Sequence, residues 1–350
     1  MRPSANVALA TAAALLGSGV VADRRVASTR RLNRADSERF EPPVPDRDGH
    51  LTTSDGVRLY VAETGPTDAA LTVVFVHGFT LDHDTFLLQQ RALIERFGDR
   101  ARVLSYDQRS HGQSSRSEAH HVTVEQLGAD LELVLKSHVP QGRLILVGHS
   151  MGGMTIMALA ERRPELFAAD GRVDGVVLIS TSAGRLREVT LGLPAAVSRV
   201  HGRPANAVLK RVGQYEDVVE RGRGRATDLA WVLARRFAVG SAVDPVLVEH
   251  IAGKQARTPV GVFVDFYPAL MRHDKLASLE YLQHIPVVVV SGAADMVTPP
   301  AHSAAIAHAL PHAHLVTVPR AGHLVVLEQP EAINEPLTEL VEQSLAAASR

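Results

Sequence analysis

Arg143-Leu144-Ile145-Leu146-Val147-Gly148-His149-Ser150-Met151-Gly152-Gly153 is the stretch whose reading decides the fold. The branched, apolar run from Leu144 to Val147 reads as a buried strand that stops at Gly148. Met151 to Arg162 then reads as a helix. The break carries Gly148, Ser150 and Gly152 in a G-x-S-x-G pattern at a strand-to-helix turn, the spacing of a nucleophile elbow. The turn is tight enough that glycine is needed on both sides of the serine. It lifts the Ser150 hydroxyl out of the sheet and leaves N–H groups at a helix N-terminus, where a developing oxyanion would be stabilised. The competing reading is a serine N-cap on a glycine-rich turn. A strand before the pattern and a helix after it favour the elbow.

The chain has 350 residues, enough for one large α/β domain or two small ones. Its net charge of -1 gives no global attraction toward nucleic acid or other polyanions. The 4% aromatic content offers no stacking platform for a nucleobase. The absence of cysteine excludes a disulfide framework, a thiolate nucleophile and cysteine-based zinc sites. The 17 histidines show no H-E-x-x-H and no paired spacing with a nearby carboxylate. No metal and no organic cofactor is expected.

Residues 1–48 stand apart. Pro3 to Ala22 are uncharged and rich in Ala, Val and Leu, and an arginine-rich stretch follows them. A membrane anchor, a signal peptide cut after Ala22 and a helix packed on the domain compete here. The basic cluster lies downstream of the apolar run, which favours the anchor, with the catalytic domain held on the cytoplasmic side, over secretion. Glu41 to Asp48 is Pro-rich and charged, and reads as a linker.

Beyond it, Gly56 to Glu63 alternates and suggests a half-exposed antiparallel strand. Leu71–His77, Arg102–Asp107, Arg143–Val147, Val176–Thr181, Val287–Gly292 and His314–Val318 read as further strands. Leu87–Phe97, Val124–Leu135 and Ile333–Leu345 read as helices between and after them. Strands apolar throughout and alternating with helices predict an α/β fold with a mostly parallel sheet covered on both faces. The alternation is broken between Thr181 and Val287 by about 100 residues with helical patterns, among them Asp228–Phe237 and Val260–Met271. A structureless loop of that length is implausible in a compact domain, so a helical cap over 182–285 is expected, inserted into a core of 49–181 and 286–350. It departs from the C-terminal end of a strand and should roof the active site. The arginines of its first half, from Arg185 to Arg225, are read as a solvated face.

A serine hydroxyl needs a base, and the base works best when a carboxylate fixes its tautomer. Asp295 follows the Val287–Gly292 strand, and His323 follows the strand ending at Val318. The order Ser150, Asp295, His323 is the one expected of a triad on a parallel sheet. The bland readings are an Asx-turn for Asp295 and a surface histidine for His323. The backbone N–H groups of Met151 and Phe79 are the expected oxyanion donors. His77, His149 and His111 are read as structural, and Asp107 and Arg109 as a turn brace.

His77-Gly78-Phe79, the Tyr106–Ser114 turn, Gly148–Gly153, Gly292–Asp295–Pro299 and Gly322-His323 together resemble the α/β-hydrolase superfamily. The likeness is to its capped serine esterase and cofactor-free haloperoxidase branch of actinobacterial type. It covers roughly Leu51 to Leu345. The resemblance implies the α/β-hydrolase fold, with the cap inserted after the sixth strand. It also implies Ser150 as nucleophile, His323 as base, Asp295 as acid, and Phe79 and Met151 at the oxyanion hole. Epoxide hydrolases and haloalkane dehalogenases carry aspartate at the elbow, so Ser150 disfavours them. Lipases marked by H-G-G-G carry a second glycine where this chain has Phe79.

The activity expected is cleavage of a small-molecule carboxylic ester through an acyl-enzyme. A perhydrolase or haloperoxidase would use the same residues, with peroxide in place of water. A small-molecule receptor on a hydrolase fold is the reading from another class.

Overall fold

The computed structural model describes residues 40–189, 234–240 and 243–348. Among them, no helix is long and apolar enough to cross a membrane. The segment over residues 3–22, on which the anchor reading rests, lies outside the described residues, as do most of the insertion's arginines and the start of the Asp228–Phe237 helix.

Eight strands form one sheet: β1 (Arg47–Thr52), β2 (Arg58–Thr64), β3 (Leu71–Val76), β4 (Arg102–Tyr106), β5 (Arg143–His149), β6 (Val173–Ile179), β7 (Val287–Gly292) and β8 (His314–Val318). Their order is β1-β2-β4-β3-β5-β6-β7-β8. β2 runs antiparallel to β1 and to β4, and the remaining pairs are parallel.

Successive side chains of a strand point to opposite faces, and both faces of this sheet are apolar. Phe75, Val147, Ile179 and Val290 pack on one face against α1 (Leu87–Phe97) and α8 (Glu331–Ala348). Val74, Leu146, Leu178 and Val289 pack on the other, against α2 (Val124–His138), α3 (Met151–Arg162) and α6 (Pro300–Ala309). This double cover explains why the parallel strands read as unbroken apolar runs.

Two sequence expectations are corrected at the antiparallel edge. β1 begins at Arg47, inside the stretch read as linker. β2 is buried from Leu59 to Glu63 rather than half-exposed. Its second face is covered because the Tyr60 ring packs on His83, centroids 4.9 Å apart, and Ala62 lines a cleft with Pro42 to Pro45.

Between β6 and β7 the described residues form a short π-helical turn (Ala234–Ala238), α4 (Pro245–Arg257) and α5 (Val260–Arg272). α4 starts as helices often do, with the Asp244 side chain accepting from the Val246 N–H and proline at the first position. Its Leu247, Val248 and Ile251 join the core around Leu81 and Val325. Lys254, almost wholly buried, reaches Asp82 at 2.5 Å. α5 brings Val262, Phe266 and Leu270 onto Met151 and Met154 of α3.

Candidate active site

Parallel strands end on the same edge of the sheet, and there the chain gathers its chemistry. β5 ends in a turn at Ser150, whose backbone is held at φ 52° and ψ -116°. That is a strained conformation for a residue with a side chain and costs on the order of 1–3 kcal/mol. The packing demands it. A Cβ on Gly152 would lie 1.9 Å from the Val76 carbonyl oxygen, so α3 can reach the end of β3 only with glycine there. Backbone bonds lock the turn: the Ser150 N–H donates to Ile179 O at 2.9 Å, and Ser150 O accepts from Gly153 and Met154. The Ser150 side chain makes no capping bond to α3, so the N-cap reading fails.

β7 delivers Asp295 and β8 delivers His323. The His323 Nδ1 donates to Asp295 Oδ2 at 2.9 Å. The same oxygen accepts from the Thr298 hydroxyl at 2.8 Å. The other, Oδ1, accepts the N–H groups of Val297 and Thr298 at 2.8 and 2.9 Å. Burial by itself would raise the Asp295 carboxyl. The imidazole of His323 and the bonds from His323 and Thr298 outweigh it and hold the group below its usual range. An anion held by four donors is a fixed acceptor. It keeps the proton of His323 on Nδ1 and leaves Nε2 as the free base.

The elbow, the His323 loop and the loop after β3 meet around His149. Its Nε2 donates to the His323 carbonyl at 2.9 Å, and the two rings lie 4.9 Å apart. On the other side is Gly78, where a Cβ would come within 2.7 Å of His149 Nδ1 and 3.2 Å of Ser150 Cβ. The residue after Gly78 is Phe79. Met151, as the first residue of α3, has an N–H without an intrahelical acceptor. Both N–H groups thus belong to segments bordering Ser150.

Gln108 ties these two segments together. Its backbone N–H donates to His77 Nε2 at 2.9 Å, and its side-chain amide donates to His77 O at 2.6 Å. Its Oε1 accepts from Thr155 of α3 at 2.7 Å. Because Nε2 of His77 is an acceptor, its Nδ1 carries the proton and donates to Gly78 O at 2.7 Å. His77 is the loop brace that the sequence suggested. Arg109 is wholly buried and bound to Asp55, Asp130 and Ser117, and Asp107 accepts from His83 and Gln113, so both brace the turn as expected.

Thr298, Gln108 and the bond from His149 were not found from sequence. Asp295 and Thr298 at a spacing of three, before a proline, is the one local signal that could have pointed to the threonine. Among the described residues no group of His, Asp and Glu could hold a metal ion.

Burial pushes His149 down to about 3, with the neighbouring His323 adding to the shift, and pushes His111 to about 3 as well. An unfolded histidine takes up its proton near the ordinary 6.5, so between about 3 and 6.5 the unfolded chain binds more protons than the folded one. Stability is then fully present above 6.5 and falls as pH drops through that window, by about 1.4 kcal/mol per pH unit for each of the two side chains. His83 opposes this, because its bond and charge contact with Asp107 raise it despite burial. Urea unfolding at pH 7 and pH 5 should give a lower midpoint at pH 5. An equal or higher one would contradict neutral burial of both rings.

A family profile described as the alpha/beta hydrolase fold matches residues 72–330. The chain belongs to the α/β-hydrolase family. The hydrolase is 28% identical to 3-oxoadipate enol-lactonase 2 of Acinetobacter baylyi, over 83% of its own length and 96% of the relative's. It is 25% identical to the non-heme chloroperoxidase of Streptomyces lividans, over 84% and 99%. Among solved structures, a thermophilic esterase from Thermogutta terrifontis superposes with a TM-score of 0.64 at 25% identity, covering 85% of the hydrolase and 99% of that chain. The likenesses to an esterase and to a haloperoxidase match what the motifs suggested.

Proposed function

We propose that this hydrolase cleaves a carboxylic ester or lactone of a small molecule through an acyl-enzyme. The observation that carries the reading is the His323–Asp295 bond of 2.9 Å, in a loop that His149, the residue before Ser150, ties to the elbow through the His323 carbonyl. Ser150 attacks the carbonyl carbon while His323 Nε2 takes its proton. The N–H groups of Phe79 and Met151 receive the oxyanion. His323 returns the proton to the leaving alcohol, and water, activated by the same base, releases the acid. Asp295 orients the imidazole and stabilises its cationic form. The described part of the insertion acts as a cap, with α5 packed against Phe79 and Met151. The esterase and lactonase likenesses support this substrate class.

The likeness to a chloroperoxidase favours a second reaction on the same residues. Hydrogen peroxide would replace water at the acyl-enzyme and leave as a peracid.

The test is hydrolysis of p-nitrophenyl esters from acetate to palmitate, with and without hydrogen peroxide, beside labelling by a fluorophosphonate located by mass spectrometry. Turnover with the label on Ser150 is expected. Peracid formation exceeding hydrolysis would move the second reaction to the front. No turnover and no label would reject catalysis and leave a ligand-binding role.

A further inference from the structure

We infer that Glu328 is a positioning residue for the base, joining the loop that carries His323 to residues 234–240 within the insertion between β6 and β7. Glu328 is the last residue of α7 (Val325–Glu328), the single helical turn that follows His323. Its carboxylate is divided between two distant backbone groups. Oε1 accepts the N–H of Gly322, the residue before His323, at 2.8 Å. Oε2 accepts the N–H of Gly240, 88 residues away, at 2.8 Å. A second bond runs parallel to it, from the Leu324 N–H to Ala238 O at 2.9 Å.

The two segments are in backbone contact. A Cβ on Gly240 would lie 2.1 Å from Arg320 O, and one on Gly322 would lie 2.5 Å from Gly240 N. His323 therefore sits between two anchors. Its own carbonyl accepts from His149 of the elbow, and the N–H just before it donates to Glu328. The first anchor belongs to the core and ties the His323 loop to the elbow at His149. The second changes whenever residues 234–240 change, because both oxygens of one rigid carboxylate are committed. Any displacement of residues 234–240 must stretch the Glu328–Gly240 bond or carry the His323 loop along with it. This inference rests on the proposed role of His323, but the joint itself can be measured without activity.

Glu328→Gln is the informative variant, because it keeps shape and volume. A glutamine has one acceptor oxygen, so its NH2 must face one of the two N–H groups, donor against donor. Glu328→Ala removes both bonds and serves as the second variant. Three measurements are made on the full chain: kcat and KM on a p-nitrophenyl ester per site titrated with fluorophosphonate, the rate of that labelling, and amide hydrogen exchange. In Glu328→Gln, kcat should fall roughly ten- to a hundredfold with KM within about twofold, since the loss is of alignment rather than of binding. Labelling should slow by a similar factor, because it also needs the base. Exchange should quicken together in peptides covering 238–241 and 320–324.

Wild-type rates per titrated site in Glu328→Gln, with only the melting temperature lowered, would make Glu328 a structural brace and overturn the inference. So would exchange that quickens in one of the two peptides alone. Wild-type protein that neither turns over esters nor takes the label would instead sink the proposed function. The exchange experiment would still decide whether Glu328 joins the two segments.

Discussion

Ser150→Ala is expected to lower kcat/KM on p-nitrophenyl esters by at least about ten thousandfold, toward a millionfold, while leaving the fold intact. With Ser150 as nucleophile, the acyl-enzyme cannot form, and the remaining rate is what a bound water and the oxyanion donors can supply. The fold should tolerate the change because every bond that Ser150 contributes to the elbow is made by its own backbone. Ile179 O receives the residue's N–H, while Gly153, Met154 and the Thr181 hydroxyl all donate to its carbonyl. The side chain makes no cap, so its removal breaks no link to α3. Circular dichroism and the melting temperature should therefore match wild type, and the fluorophosphonate label should vanish. A variant within tenfold of wild type would show that another residue attacks the ester.

The elbow could be read from sequence because its constraint is local. A strand, a residue at positive φ and a helix follow one another within a dozen positions, and only small residues fit around the serine. The same holds for the parallel strands, whose double burial imposes an apolar character on every position. β1 is the opposite case. Arg47-Asp48-Gly49-His50 pairs with β2 on one side only and lies mostly toward solvent, so neither an apolar run nor alternation marks it. β2 alternates in sequence yet is buried, because what covers its second face, Pro42–Pro45 and His83, comes from other parts of the chain. α4 does carry local signals, an aspartate followed by a proline, but they stand among the insertion's mixed patterns.

The three residues of the proposed triad are legible for a topological reason. Parallel strands bring their C-terminal ends to one edge, so loops after β5, β7 and β8 converge whatever their separation along the chain. The residues that orient them obey no such rule. His149 reaches across 174 positions to the His323 carbonyl, and Gln108 across 47 to Thr155. Nothing in the local pattern around either residue distinguishes it from a buried polar side chain of another kind. Their roles come from which backbone groups are left unpaired once the sheet is built, which is a property of the whole fold.

Asp295→Asn should cost about ten thousandfold in kcat with little change in KM, and the reason lies in how the carboxylate is bonded. Oδ1 accepts two backbone N–H groups, from Val297 and Thr298. Oδ2 accepts from His323 Nδ1 and from the Thr298 hydroxyl. An asparagine has one acceptor oxygen and must choose a side. Facing its NH2 to the two backbone N–H groups leaves donors opposed, and those groups cannot reorient. Facing it to His323 and Thr298 is tolerable, because a hydroxyl can rotate to accept and an imidazole can move its proton. The asparagine therefore keeps its oxygen on the backbone and donates to His323 Nδ1. That sends the imidazole proton to Nε2, the atom that must be bare to receive the proton of Ser150. The variant should stay folded, bind ester normally and label slowly with fluorophosphonate. Activity within tenfold of wild type would mean that the tautomer of His323 is fixed by something other than Asp295.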